Sequence, residues 1–412
     1  MSRRGAPVKL RRLPEDFGVE ELADFPIGES GAFAAYRLRK QSLGTLEAVD
    51  AIQRRWGIER RRMSWGGLKD KHAVTVQHLT ILNGPRRDLS QSHLELEYLG
   101  QSDRAFTAAD IRANRFSIVI RSLTEAETQT ALAALQSIPG DGIPNYFDDQ
   151  RFGSLTASGE FIARPWIAGD YERTLWLALA EAHPFDRTEE KEQKRLLREH
   201  WGRWTECKAA LDRSHRRSVV TFLADRPGDF RGAWARLKVD LRSLYLAAFQ
   251  SWLWNRMAAT FLRETCPADI LFDVPLKGGA VPFFQALPDD CRRPLQTTSL
   301  PLPSARLKLE PGPTLELATR VLAAENLELR QIRVKYPRDS FFSKGWRKVV
   351  APVQGLEHRL DDDELDAGRR RLSLAFTLPR GSYATILVKR ITAMGAGAAP
   401  FLDEAPGEDD LE

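Results

Sequence analysis

Patterns typical of β-strands occur in two separate parts of the chain, on either side of a long segment with helical patterns. Apolar residues alternate over Phe116–Arg121 and Leu372–Thr377, and β-branched residues are frequent over Val74–Leu82. Between these parts, residues 153–346 are richer in tryptophan, proline and helical spacing. A chain of 412 residues is long enough for two or three domains. We therefore expect a domain that alternates strands and helices, interrupted by an insertion.

Apolar spacing and capping residues predict three helices. The first covers Thr45–Trp56 and ends at Gly57, which leaves its arginines exposed. The second begins at a capping box at Thr124 and ends at Pro139-Gly140. In the third, aromatic and apolar residues recur at helical spacing over 245–261, which predicts a buried helix in the middle segment.

The chain is more basic than its formal net charge of +5 indicates. Residues 403–412 contain six acidic side chains and no basic one, and we expect a flexible acidic tail over 396–412. Dense basic clusters are typical of phosphate-binding surfaces, although exposed arginines that bind no ligand are about as frequent. The basic clusters are Arg3, Arg4, Lys9, Arg11 and Arg12 near the start, and Arg54, Arg55, Arg60, Arg61 and Arg62 around Trp56.

The sequence disfavours several classes of protein. No apolar run reaches the roughly 18–20 residues that a membrane-spanning helix needs, so we expect a cytoplasmic protein that does not contact a membrane. The three cysteines are widely separated, and we interpret them as reduced packing residues. His72 and His78 lie beside a strand pattern without metal-ligand spacing, so no metal is expected. The glycine motifs for nucleotide cofactors are also missing.

One segment has the composition of a reactive site. Residues 67–77, with the sequence GLKDKHAVTVQ, form a glycine-led turn that places Asp70 between two lysines and then enters a strand. The lysines favour the ionised carboxylate that a nucleophile requires, and glycine lets the backbone approach a bulky ligand. The alternative is an ordinary exposed turn, which on spacing alone is the more frequent case.

The same segment resembles the hallmark motif of the TruD family of tRNA pseudouridine synthases. Four further motifs resemble those of that family and occur in the family's order, so the resemblance extends from residue 14 to residue 385. These motifs are PEDF at 14–17, NRFSIVIR at 114–121, PNYFDDQRFG at 144–153 and LPRGSYAT at 378–385.

The resemblance implies a role for individual residues. Asp70 takes the place of the family's catalytic aspartate, which acts on the target uridine without a cofactor. Phe116 falls where the family stacks an aromatic ring on the flipped base, although a phenylalanine in a strand can equally be a core residue. Asn114 falls at a position that contacts the substrate and helps to place the catalytic loop. Phe17 and Tyr383 fall at positions that line the uridine pocket.

Three residues depart from the family pattern. Tyr383 replaces the more usual phenylalanine, and the added hydroxyl is expected to be tolerated. Asp148 stands where the family has glycine, so we expect a backbone conformation with positive φ to be lost at that position. Arg11 stands where the family resemblance leads us to expect a lysine that contacts the active site, and Lys9 is the alternative for that role.

The resemblance also implies the architecture and the substrate. We expect a mixed α/β fold in which a discontinuous catalytic domain with an antiparallel sheet, residues 1–144 and 347–395, receives a TruD-type α/β insertion domain at 145–346. The expected substrate is tRNA, modified at uridine 13 in the D arm by a monomer that uses no cofactor. Two other functions are considered. One is a nucleoside hydrolase that uses a carboxylate pair such as Glu20-Glu21 or Asp148-Asp149, and the other is an RNA-binding protein without catalysis.

Overall fold

The protein consists of two compact units in a computed structural model that describes residues 9–182, 186, 188–393 and 402–403. The sheet unit is drawn from Met1–Ile143 and Ala351–Glu412, and the helical unit is Pro144–Val350. Most of the predicted acidic tail lies outside the described residues, as do Arg3 and Arg4. Among the helices that are described, none is long and apolar enough to cross a membrane.

Strands make up most of the sheet unit, and short strands also occur in the helical unit. In chain order they are β1 Lys9–Leu10, β2 Phe17–Ala23, β3 Phe33–Gln41, β4 Met63–Trp65, β5 Val74–Leu82, β6 Leu89–Gln91, β7 Leu94–Ser102, β8 Ile111–Leu123, β9 Ile143–Pro144, β10 Leu271–Val274, β11 Val281–Phe284, β12 Ser299–Pro301, β13 Trp346–Lys348, β14 Val350–Ala351, β15 Gln354–Asp362, β16 Arg370–Pro379 and β17 Leu402–Asp403.

Helices are concentrated in the helical unit. In chain order they are α1 Thr45–Trp56, α2 Glu125–Asp141, α3 Ala163–Ala168, α4 Tyr171–Leu179, α5 Thr188–His200, α6 Trp204–Ala210, α7 His215–Asp225, α8 Phe230–Ala235, α9 Val239–Thr265, α10 Asp289–Thr297, α11 Pro313–Ala324 and α12 Ala384–Ala393. The expected mixed α/β fold is confirmed by this combination of helices with a large sheet.

A single large sheet organises the sheet unit. Its main strand order is β15-β16-β8-β2-β5-β3-β7-β6, with β4 paired to β5 and β1 paired to β8 and β17. Most neighbours are antiparallel, as expected, but β2 and β5 in the middle are parallel. The sheet joins segments from both ends of the chain, because β16 pairs with β8 over nearly its whole length.

Helix α1 covers one part of this sheet, as its spacing predicts. Val49 and Ile52 are fully buried against inward residues of β3 and β5 such as Leu38 and Ile81. The helix ends at Gly57, whose φ of 64° is the left-handed conformation that glycine adopts without strain. The prediction of both bounds is confirmed, and the arginines of its last turn are exposed.

Helix α2 begins where the capping box predicts, and it ends one residue beyond the predicted Pro139-Gly140. Thr124 caps the helix, while Pro139 lies inside it and the helix continues to Asp141. The last turn is stabilised by Arg390 of α12, which donates hydrogen bonds to the Gly142 carbonyl and, at 2.8 Å, to Ser137 Oγ. These contacts join the last turn of α2 to α12.

The helical unit packs around α9. Phe249 and Leu253 on this helix are fully buried in an aromatic core, which confirms the predicted buried helix face. All three cysteines are buried and free, as expected. Asp148, which replaces glycine in the third motif, has an extended backbone with φ −92°. That position therefore requires no left-handed conformation.

A buried ion network ties the start of β2 to the turn between β15 and β16. Arg121 on β8, with a side chain 4% exposed, donates to Asp16 at 2.9 Å and to Asp363 at 3.0 Å. Both carboxylates are also buried. Since Asp16 immediately precedes Phe17, this network fixes where β2 begins.

Replacement of Arg121 by methionine is expected to destabilise the protein by about 3–5 kcal/mol, because two buried carboxylates lose their cation. Arg115→Met on the same strand is the matched control, since Arg115 is exposed and contacts Glu20 at 3.3 Å. That change is expected to cost less than about 1 kcal/mol. Urea unfolding of both variants measures the difference, and equal values for the two would contradict the structural role of Arg121.

Candidate active site

The parallel pairing of β2 and β5 brings together two segments that are distant in sequence. Gly18 lies opposite Val74 in this pair, so both strands begin at the same edge of the sheet. The residues before β2 include Arg11, and the loop before β5 is 66–73, which contains Asp70. The strand register therefore places the predicted N-terminal motif beside the predicted catalytic loop.

Asp70 forms an ion pair with Arg11. The Arg11 guanidinium donates to Asp70 Oδ2 at 2.9 Å, with side-chain exposures of 7% for the arginine and 23% for the aspartate. The same guanidinium lies 4.0 Å from the centre of the Phe17 ring. One carboxylate is thus oriented by a cation beside an aromatic side chain, and part of it stays open to solvent.

The backbone of Arg11 is unusual. Its φ of 59° is in the left-handed region, which costs a residue other than glycine roughly 1–2 kcal/mol. The side chain is buried by Phe17 and bonded to Asp70, so surrounding contacts keep the backbone in this conformation. Arg11 thus occupies the place predicted for a cation at the site. The side chain of Lys9 lies outside the described part of the chain.

Buried polar side chains form hydrogen bonds with the backbone of loop 66–73. Lys40 on β3 is 1% exposed, and its ammonium donates to the carbonyls of Leu43, Lys69 and Asp70 at 2.5, 3.2 and 2.9 Å. Thr45 accepts from the Lys69 amide at 2.9 Å. Because these bonds engage the backbone on both sides of Asp70, they fix the direction in which its carboxylate points.

A close approach of the chain explains the first glycine of this loop. A Cβ atom at Gly66 would lie 2.5 Å from Ile111 Cδ1 and 3.0 Å from the Phe106 ring. Any larger residue would push the loop away from β8. Gly67, by contrast, has open space at its Cβ position, so sterics do not require glycine there.

Asn114 is positioned by an ion pair that sequence analysis did not identify. Lys69 donates to Asn114 Oδ1 at 2.7 Å and lies 3.2 Å from the carboxylate of Glu21, which is fully buried. Burial alone would raise the pKa of Glu21, but the adjacent His78, whose amide donates to Glu21 Oε1 at 3.1 Å, and the charge of Lys69 outweigh it and hold the pKa below its ordinary value. Glu21 is therefore a buried anion that orients Lys69.

Phe17 and Phe116 lie on the same face of the sheet as Asn114. The Phe116 ring stacks on Phe376 at 5.5 Å between centroids and meets Phe17 edge-on at 6.4 Å. Phe116 is 7% exposed, so it packs in the sheet face as well as lying near the site. Tyr383 follows the end of β16, where Leu378 pairs with Asn114. The structure thus brings Arg11, Phe17, Asp70, Asn114 and Phe116 into one connected set, with Tyr383 four residues beyond the strand that borders it.

Several predicted basic side chains are engaged within the protein. Arg12 donates to Asp366 at 2.7 Å, and Arg62 donates to the carbonyls of Leu82 and Asn83 at 2.8 and 2.7 Å. Arg60 lies 3.8 Å above the ring of Trp65. The cluster Arg54–Arg62 therefore contributes to the fold as well as to the surface charge, and all of its arginines except the half-buried Arg62 are exposed.

The carboxylate pairs considered for a hydrolase do not form reactive pairs. Glu20 and Glu21 are neighbours in β2 and so point to opposite faces of the sheet. Glu20 pairs with Arg37 at 2.9 Å on the exposed face, while Glu21 is buried beside Lys69. In the helical unit, Asp148 accepts from the amide of Asp149 and caps a short helix.

Two of the positioning residues have a signal in the sequence. In β3 the inward positions Tyr36 and Leu38 are followed, at the same two-residue period, by Lys40. In β2 the inward positions Phe17 and Val19 are followed by Glu21. A charged residue at an inward position of a strand requires a buried partner, so both can be recognised from alternation alone.

Lys40→Met is expected to loosen loop 66–73, because three carbonyls lose the buried ammonium that donates to them, at a cost of about 2–4 kcal/mol. Amide hydrogen exchange at Lys69 should accelerate more than exchange in α1. Lys71→Met is the matched control, since Lys71 pairs with Glu47 at the surface at 2.8 Å. Loop exchange in the Lys40 variant at the wild-type rate would contradict this role.

Glu21→Gln is expected to destabilise the protein by roughly 1–3 kcal/mol near neutral pH, because Lys69 loses its buried carboxylate. Since the pKa of Glu21 is lowered in the folded state, its contribution is present above the unfolded pKa of about 4.3 and is lost as pH falls through the folded value. Urea unfolding from pH 7 to pH 3.5 should show the gap between wild type and variant narrow at acid pH. Glu20→Gln should show a small gap at every pH, and a constant gap for Glu21→Gln would disprove the assignment.

Comparison with known proteins identifies the family. A family model described as tRNA pseudouridine synthase D (TruD) matches residues 1–391. The chain is 27% identical over 397 residues to the protein named probable tRNA pseudouridine synthase D 1 of Methanococcus maripaludis, covering 93% of this chain and 99% of that one. It is 28% identical over 396 residues to tRNA pseudouridine synthase D of Aquifex aeolicus, covering 93% and 98%.

The fold also has a counterpart among solved structures. A crystal structure of the TruD protein from Methanosarcina mazei is similar with a TM-score of 0.71 and 23% identity, covering 95% of this chain and 94% of that one. This likeness extends over the sheet and the helical segments alike, and the family match is nearly as long as the chain. The chain therefore belongs to the tRNA pseudouridine synthase D family, a family of isomerases whose general reaction converts uridine into pseudouridine.

Proposed function

We propose that the protein isomerises uridine 13 in the D arm of tRNA to pseudouridine, with Asp70 as the reacting carboxylate and no cofactor. The observation that supports this most directly is the geometry of Asp70. Its carboxylate is held by Arg11 at 2.9 Å beside the Phe17 ring, and remains 23% exposed on a loop whose backbone is anchored by Lys40. A fixed, accessible carboxylate next to an aromatic surface suits a reaction on a nucleotide.

The reaction constrains what the site must do. The bond from C1′ to N1 breaks, the uracil turns, a bond from C1′ to C5 forms, the proton at C5 is lost, and N1 gains a proton. Asp70 can attack C1′ and displace N1, or add to the base before the C1′–N1 bond breaks, and in either case its bond to the substrate breaks again before the product leaves. The site must also exclude water while the bond is broken, because hydrolysis would otherwise release the base.

We assign the neighbouring residues to holding the nucleotide. Phe17 and Phe116 are proposed as the aromatic wall of the uridine site, since their rings are in contact and Phe17 borders the Arg11–Asp70 pair. Asn114 is proposed to bind the base or sugar through its side-chain amide, which Lys69 orients by donating to Oδ1. Tyr383 is proposed as a further wall beyond the end of β16. Arg11 is proposed to orient Asp70.

The two units have separate parts in this proposal. The sheet unit is assigned as the catalytic domain, because it contains all six proposed site residues. The helical unit is assigned as the family's insertion domain, since it interrupts the sheet unit between Ile143 and Ala351. We propose that the enzyme acts in the cytoplasm as a monomer, which size-exclusion chromatography with light scattering tests.

Asp70→Asn is expected to lower pseudouridine formation by roughly 10³-fold or more, because the amide has the size of the carboxylate but is not a competent nucleophile. Tritium release from tRNA labelled at C5 of uridine measures turnover, and tRNA affinity should stay within a few-fold. Asp366→Asn is the matched control, since this aspartate also pairs with an arginine, at 2.7 Å, and is similarly exposed. Wild-type turnover in the Asp70 variant would exclude Asp70 as the reacting group.

The position of the product tests the substrate assignment. A tRNA transcript with cytidine in place of uridine 13 should bind but give no pseudouridine, and site-specific detection on the unchanged transcript should place the product at position 13. Pseudouridine at another position would show that uridine 13 is not the target. Accumulation of free uracil would instead support a hydrolase, and binding without any turnover would support an RNA-binding protein.

A further inference from the structure

Two exposed aromatic residues of the helical unit are not explained by the fold. Phe341 and Trp346 are each 58% exposed, while every other phenylalanine, tyrosine and tryptophan that the structure describes is buried or half-buried. Exposed aromatic rings of this size lose hydrophobic stabilisation unless a partner covers them. Since they are only five residues apart, at most about 17 Å of extended chain separates them.

The surroundings of these rings are strongly basic. The segments 304–308, 332–338 and 341–348 contain eight lysines and arginines and no acidic residue. Arg347 is half-buried and bonds to Asn145, but the other seven side chains are exposed and pair with no carboxylate of the described residues. These seven are Arg306, Lys308, Arg333, Lys335, Arg338, Lys344 and Lys348.

The nearest acidic residue in sequence does not neutralise this charge. Asp339 lies between the second and third segments, and its carboxylate is bound by both terminal nitrogens of Arg242 at 2.9 Å. Arg242 is buried while the Asp339 side chain is 57% exposed, so this carboxylate lies at the surface already bonded to a cation of α9. The surface charge of the seven cations therefore stays available to a ligand.

The three segments adjoin one another in the fold. The Leu302 amide donates to the Gly345 carbonyl and the Ala305 amide donates to the Ile332 carbonyl, each at 2.9 Å. Residues of all three segments line one depression, among them Arg306, Arg333 and Phe341. The Arg306 guanidinium lies 5.6 Å from the centre of the Phe341 ring. We call this surface, defined by Phe341, Trp346 and the seven cations, the basic-aromatic surface.

We propose that the basic-aromatic surface binds unpaired nucleotides of the RNA substrate, with Phe341 and Trp346 stacking on bases and the seven cations contacting the flanking phosphates. This proposal rests on the proposed function, which supplies RNA as the partner. Exposed rings among unneutralised cations are what single-stranded RNA recognition requires, because every base has a stackable face and every nucleotide has a phosphate. Paired RNA offers the phosphates but not the base faces, so the two rings favour a loop.

The aromatic half of the proposal is tested with the full chain and an unmodified tRNA transcript. The double variant Phe341→Ala/Trp346→Ala should weaken tRNA affinity roughly tenfold or more per ring without changing the salt dependence of binding. The variant Phe341→Trp/Trp346→Phe should bind like the wild type, since stacking survives the exchange. Thermal unfolding should be unchanged, because both residues are exposed. Wild-type affinity in the double alanine variant would overturn the proposal.

The charge half has its own matched pair of variants. Lys335→Ser/Arg338→Ser/Lys344→Ser should flatten the negative slope of log affinity against log salt by about two units, at about 0.7 per phosphate contact on single-stranded RNA. The control Lys191→Ser/Arg213→Ser/Lys238→Ser removes the same charge from exposed positions elsewhere in the helical unit and should change the slope by less than about half a unit. Equal slopes for the two triple variants would contradict phosphate binding by the seven cations, which would then serve only the solubility of the protein.

The outcomes separate this proposal from the proposed function. If the wild type binds tRNA through these residues but forms no pseudouridine, the proposed function fails and the surface stands. If pseudouridine forms and all variants bind like the wild type, the surface proposal alone fails. Binding of the wild type to vesicles of anionic phospholipid, lost in the double alanine variant while tRNA affinity is unchanged, would overturn RNA as the partner and assign the surface to a membrane.

Discussion

The position of loop 66–73 depends on one buried ammonium group, that of Lys40. A buried charge costs several kcal/mol to desolvate unless hydrogen bonds surround it. Three carbonyl oxygens do so here, and two of them belong to Lys69 and Asp70. The bonds that make the lysine tolerable in the core are therefore the same bonds that fix the loop. If β3 or the loop shifts, these hydrogen bonds break and the desolvation cost of the buried ammonium is no longer offset.

Three cations around Asp70 have separate structural roles. Lys40 holds the backbone of the loop, Lys69 joins buried Glu21 to Asn114, and Arg11 contacts the Asp70 carboxylate itself. Arg11 is thus the cation bonded to the group that we propose reacts. This division explains why a single aspartate stands beside so much positive charge: most of that charge is already bonded to backbone carbonyls or to another carboxylate, so it constrains geometry more than it attracts a ligand.

Sequence patterns are sufficient where an element is determined by its own residues. The bounds of α1 and β5 follow from spacing and a terminal glycine, because helix and strand periods are local properties. The end of α2 follows less closely, since the helix continues past Pro139 to Asp141 and its last turn bonds to Arg390, some 250 residues later. The partner of Asp70 is 59 residues away and is specified by the register of β2 and β5 rather than by spacing. Family resemblance supplied the site residues that local patterns could not connect.

The sheet unit is completed by strands from both ends of the chain, which has a consequence during synthesis. Strand β8 ends at Leu123, and its partner β16 begins at Arg370. At roughly 5–20 residues per second, the ribosome needs about 12–50 s to supply that partner. Throughout this interval one edge of β8 has unpaired backbone groups that can associate with other chains. The helical unit, Pro144–Val350, leaves the ribosome before β16 and can fold during the wait. Cells that translate this chain quickly, or that shield the emerging β8 edge with a chaperone, should therefore recover more folded enzyme than cells in which elongation stalls within the helical unit.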